Sequence, residues 1–138
     1  MIYADIERLL ADTASAVAPT ATFHYGDEDS FMGIIKSKKA PFIFVHSFSS
    51  VDSNSVTDTK ILAFFLDVDP HGNSNDVHNL IHASMHQLSK NFFSTLDLNQ
   101  DLGTLAQRNA KPVPREFQEA LTGVAVTTSF TIADNMCL

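Results

Sequence analysis

PFIFVHSF at residues 41–48 and KILAFFLDV at residues 60–68 are the two stretches around which this sequence organises. Both are dense in β-branched and aromatic residues, the types that suit a pleated surface. In the first, Phe42, Phe44, His46 and Phe48 fall on one face, and Ile43, Val45 and Ser47 on the other, because side chains alternate along a strand. The second is apolar on both faces for most of its length, which predicts a strand central in a sheet. Between them, residues 51–57 carry Asp52, Ser53, Asn54 and Ser55. That is turn chemistry. The expected unit is a long β-hairpin with strands at 41–49 and 59–68. Its polar tip should be mobile in the free subunit and ordered by a partner. Asp-Pro-His-Gly-Asn at residues 69–73 ends the second strand.

Residues on either side supply helices. Ile2, Ile6, Leu9, Leu10, Thr13 and Val17 recur at spacings of three and four, predicting an amphipathic helix over 2–18 that Pro19 ends. A second helix is expected from Asn75 or Asp76 to Leu96, with Val77, Leu80, Ile81, Ser84, Met85, Leu88 and Phe92 as its apolar stripe. Residues 22–25 suggest a short strand, residues 26–30 an acidic turn, and Lys36, Lys38 and Lys39 a solvated turn. Residues 97–112 lack a clear period and read as a loop. Pro112 and Pro114 exclude a helix interior or a central strand there. Residues 123–132 alternate, with Val124, Val126, Thr128, Phe130 and Ile132 on one face, and predict a half-buried strand. The whole reads as one α+β domain over residues 1–138. Its expected core is an antiparallel sheet of about four strands with two helices on one face.

The chain holds 138 residues, 44% hydrophobic and 18% charged, enough apolar material for a core. Sixteen acids against nine bases give a formal charge of -7. Gripping nucleic acid relies on clustered Lys and Arg, so an acidic chain is poorly suited to it, although an acidic lumen would let DNA slide through. No apolar run approaches the roughly 20 residues of a membrane helix, so no membrane partner is expected. The acidic start, MIYADIERLL, does not resemble an export signal. Cys137 is the only cysteine, so no intrachain disulfide is possible.

Three chemical constellations invite comparison with known sites. His78, His82 and His86 share one side of the second helix, and an i, i+4 histidine pair can hold zinc or nickel. The helical wheel, however, puts His78 at the edge of the apolar stripe and turns His82 and His86 toward solvent. No Glu stands between them as in H-E-x-x-H. Asp27, Glu28 and Asp29, or Asp67 and Asp69, lack the pattern of a calcium loop. Ser47, Ser49 and Ser50 lie near His46 without a nucleophile elbow, and no phosphate-binding glycine loop occurs. The expectation is therefore no catalytic residue, no functional metal and no cofactor.

The order of elements and their sequences resemble the tail-terminator (tail-completion, or neck) proteins of long-tailed bacteriophages. The resemblance rests on the N-terminal helix, the hairpin PFIFVHSF…TKILAFFLDVD, the helix DVHNLIHASMHQLSKNFF and the strand EALTGVAVTTSFTI. It spans nearly the whole chain in layout, with residues 97–118 outside it. It implies a virion protein of the tail or neck, assembled in the host cytoplasm. Identical subunits, six by this likeness, would form a ring that caps the tail tube and joins it to the head connector. Its implied partners are further copies of itself, the tail-tube protein and the connector or stopper proteins, and DNA would pass through the lumen without specific binding. On this reading Asp52, Ser53, Asn54 and Ser55 are inter-subunit contact candidates. Asp27, Glu28, Asp29, Asp97 and Asp101 are lumen candidates. A head-side adaptor, stopper or tail-tube subunit is the neighbouring reading. A small metal-dependent enzyme using His78, His82 and His86 is the alternative from another class.

Overall fold

The computed structural model describes residues 3–53, 56–69, 75–98, 108–116 and 121–133. Strand β1 (Thr22–Tyr25) precedes the hairpin of β2 (Phe42–Ser53) and β3 (Val56–Val68). The hairpin is longer than its apolar runs. Its ladder extends from Phe42↔Leu66 out to Asp52↔Thr57 and Ser53↔Val56, with one irregularity between Ser47 and Ser49. Most of the polar stretch expected to be a mobile turn is therefore strand, and only residues 54–55, outside the described residues, remain to connect the two arms. Serine and threonine satisfy a ladder as well as aliphatic residues do when the backbone of a neighbouring strand is already in register.

Among the described residues the sheet is mixed and five-stranded, in the order β1-β2-β3-β5-β4, with β4 at Asn109–Glu116 and β5 at Leu121–Ala133. This corrects the expectation of about four antiparallel strands. β1 runs parallel to β2, and the other pairs are antiparallel. β5 lies along all of β3, from Val56↔Ala133 to Val68↔Leu121. β4 takes up part of the stretch expected as a loop. It is an outer strand, so Pro112 and Pro114 lose no ladder donor on its open side. Its register shifts between Val113 and Glu116.

Both faces of the sheet carry a core. Ile61, Ala63 and Phe65 of β3 pack with Ile43, Val45, Val124 and Val126 under helices α1 (Tyr3–Val17) and α3 (Asn75–Asp97). Ile6, Leu10 and Ala14 of α1 and Met85, Phe92, Phe93 and Leu96 of α3 close that layer. The two helices expected on one face are there. On the other face lies a helix that the sequence reading did not anticipate, α2 (Glu28–Ser37). Its Phe31 and Ile35 bury against Phe42, Phe44, Phe64 and Leu66. Phe31 stacks on Phe44 at 4.4 Å between ring centroids and meets Phe64 edge-on at 6.2 Å. Each fully buried phenylalanine contributes about 1.5–3 kcal/mol by removing apolar surface from water.

The acidic turn is the beginning of α2. Asp27 caps the helix in an extended conformation and accepts a hydrogen bond from the Ser30 amide at 2.9 Å. Asp27, Glu28 and Asp29 gather at the positive end of the helix dipole. The helix ends where the Lys38 amide donates to the Ile34 carbonyl at 2.9 Å, so Lys36 belongs to its last turn.

Candidate functional site

β3 ends at Val68, and the next residue, Asp69, is fully buried. Val68 pairs with Leu121, which brings Thr122 and Gly123 of β5 alongside. The first turns of α3 lie over this junction. They are rotated relative to the expected stripe: Leu80 is 66% and Val77 39% exposed, while His78 and His82 turn toward the sheet. The sequence wheel, which sent His82 to solvent, is corrected here. At the sheet end the helix meets polar groups of the chain, and histidines satisfy them where Val77 and Leu80 could not.

The hydrogen-bond partners dictate the tautomers. The Gly123 carbonyl only accepts, so His82 Nδ1 carries a hydrogen and donates to it at 2.8 Å. His78 Nδ1 donates to Asp69 Oδ2, and the Thr122 hydroxyl donates to the same oxygen at 2.8 Å. Both Nδ1 atoms being spoken for, the two Nε2 atoms are left facing each other at 3.1 Å. In two neutral rings those atoms would present lone pair to lone pair. Behind His78 lies the buried carboxyl group of Asp69.

His86 is exposed one turn further along α3. With His82, Lys111 and Pro112 it lines a shallow groove of about 280 Å³ between α3 and β4. Among the described residues, no group of three His, Cys, Asp or Glu side chains converges closely enough to cage a metal. The three histidines of the alternative reading are therefore a pair plus a separate neighbour. Asp69, Thr122 and Gly123 were not singled out as partners. Asp69 read as a strand terminator, and only the pairing of β3 with β5 brings the three together.

A second feature is the open edge of β2. β1 covers only residues 42–45 of it. The junction is pinned where the Gly26 amide donates to the Val45 carbonyl and His46 Nδ1 donates to the Gly26 carbonyl, each at 3.0 Å. Beyond this point, among the described residues, no strand lies against the outer side of residues 47–53. Asp52 and Ser53 belong to this stretch, whereas Asn54 and Ser55 lie outside the described residues.

The lumen candidates separate in space. Asp27, Glu28 and Asp29 open α2 on one face of the sheet. Asp97 ends α3 on the other, ion-paired with Arg108 at 2.6 Å. Asp101 lies outside the described residues. The Asp27 carboxyl is held below its ordinary range, chiefly by the hydrogen bond from the Ser30 amide.

No protein-family model matches the chain, and no curated protein matches it. Among the described residues no helix is long and apolar enough to cross a membrane.

Proposed function

We propose that this chain is a structural subunit of the phage head–tail junction, joining copies of itself through the β2 edge into a ring that caps the tail tube and meets the head connector. The observation that carries the reading is the seven-residue stretch of β2 against which no strand lies among the described residues, on a hairpin whose other side is fully laddered. Such an edge accepts a further strand by main-chain hydrogen bonds. The layout resemblance to tail-terminator proteins supplies the setting.

The opposite sheet edge, β4, contains Pro112 and Pro114 and is blunted against the same kind of pairing. Two β2 edges paired with each other would close a two-fold dimer, so a ring requires the edge to take up a different segment of the next subunit, a head-to-tail contact that closes when the rotation permits. Seven residues of edge form about three or four ladder bonds, each contributing about 1 kcal/mol net. One such contact corresponds to a dissociation constant near the millimolar range. A free subunit therefore stays monomeric when dilute, and closure of a six-membered ring makes association cooperative. The acids of the chain suit a lumen through which DNA passes without being held.

Two experiments test this. Native mass spectrometry and electron microscopy of the concentrated protein, alone and with tail tubes, should show a six-fold ring. A closed two-fold dimer through β2 would overturn the ring. A phage lacking the gene should give filled heads with unjoined tails or tails of abnormal length. Normal joining and normal infectivity would overturn the functional reading.

A further inference from the structure

We infer that His78 and His82 form a binding site for one divalent metal ion of the zinc, nickel and copper class. The inference does not rest on the assembly reading, since it concerns only the junction of α3, β3 and β5.

The separation of the two Nε2 atoms is the first observation. Nitrogen ligands stand about 2.0–2.1 Å from zinc, so two of them on one tetrahedral ion lie about 3.3 Å apart. The 3.1 Å between His78 Nε2 and His82 Nε2 is within a few tenths of an ångström of that spacing. The rings belong to consecutive turns of one helix, four residues apart, which fixes their approach.

The support behind the rings is the second. A metal-bound histidine typically donates its other N–H to a carboxylate or a backbone carbonyl, which orients the ring and makes it more basic. Here both kinds of partner are present. His78 donates to Asp69 and His82 to the Gly123 carbonyl. Asp69 is in turn held by the Thr122 hydroxyl and is fully buried. Its carboxyl group stands one ring away from the position a cation would occupy.

The donor set selects the class. Two imidazoles suit borderline ions and not magnesium or calcium, which take oxygen ligands. Affinity should follow the order copper above nickel above zinc only loosely, since two protein nitrogens impose little geometry. No third His, Cys, Asp or Glu among the described residues reaches the site. The remaining positions are thus open to water or to a donor from another molecule.

The test uses the full chain without a histidine tag, stripped with chelator. Cobalt and zinc are titrated in, followed by the visible absorption of cobalt and by competition with a chromogenic chelator. One ion should bind per chain. His78→Gln and His82→Gln should each weaken binding by about 10-fold or more, and Asp69→Asn by about 10-fold through the His78 ring that it orients. His86→Ala should leave it unchanged. In the wild-type chain, zinc should shift the imidazole nitrogen resonances of His78 and His82 together. Binding that survives both glutamine substitutions, or that is lost with His86→Ala, would overturn the site. So would resonances of the wild-type pair that respond to pH and not to zinc, since the pair would then share only a proton.

Discussion

Replacing Gly123 by alanine should be among the most damaging small changes this chain can suffer. A Cβ built on Gly123 would stand 1.8 Å from the Phe65 carbonyl oxygen, 2.9 Å from its carbon and 3.1 Å from the Leu66 Cα. All three are backbone atoms, so no side chain can rotate away. Relief requires β3 and β5 to part locally by roughly an ångström, enough to spoil well-formed hydrogen bonds. Losing the ladder bonds on either side costs about 1 kcal/mol each, and the displaced packing of the central strands about 1–3 kcal/mol more. The total is about 3–5 kcal/mol, against about 5–15 kcal/mol for a whole domain. For a chain of this size each kcal/mol moves Tm by about 3–5 °C, so Gly123→Ala should lower Tm by about 10–25 °C. Gly33 is the internal control. It sits in α2, and a methyl group added there would meet nothing within 4 Å, so Gly33→Ala should stabilise the protein by about 0.5–1 kcal/mol. Thermal unfolding followed by circular dichroism reads both. A Gly123→Ala protein melting within about 2 °C of wild type would refute the close approach of β3 and β5.

Phe31→Ala should cost about 3–5 kcal/mol in denaturant unfolding, because it empties the centre of the α2 layer. A cost under about 1 kcal/mol would mean that α2 does not dock there. Asp27 should give the start of α2 a pH dependence. Its folded pKa is depressed, so its stabilisation is complete above the unfolded value of about 3.9 and is lost as pH falls through the folded value. The Ser30 amide resonance should follow that titration, and Asp27→Asn should keep the cap while abolishing it. Arg108→Ala should cost no more than about 1 kcal/mol, since it removes a partly exposed ion pair with Asp97 and a cation–π contact 5.0 Å from Phe93. Equilibrium unfolding at low and high salt separates the two contributions.

Periodicity carried most of the main elements. The stripe of Ile6, Leu9, Leu10, Thr13 and Val17, the apolar hairpin and the alternation from Val124 onward each imply their own structure, and the expected bounds of α1, α3 and β5 differ from those observed by a residue or two. α2 was hidden because Asp27, Glu28 and Asp29 read equally well as a turn, and Gly33 lowers helix propensity. The clue was Phe31, Ile34 and Ile35 at helical spacing behind a capping Asp. Apolarity of β3 on both faces already implied that something covered each one. The histidine site was legible only as a spacing. Its buried carboxylate and carbonyl come from Asp69 and Gly123, more than fifty residues apart, and no local pattern joins them. Residues 99–107, where a loop is expected, lie outside the described residues, as do residues 117–120.

The strand order bears on how the protein is made. β5 is the last described strand in chain order, yet it lies between β3 and β4. During translation, β3 is therefore complete long before its second neighbour exists. A nascent chain that has not reached Leu121 exposes one whole side of a 13-residue strand containing Ile61, Phe64, Phe65 and Leu66. Unpaired apolar edges of this kind recruit other chains. A polypeptide stalled or cleaved before residues 121–133 is consequently a substrate for chaperones and proteases, and the sheet is sealed only by the arrival of its final strand.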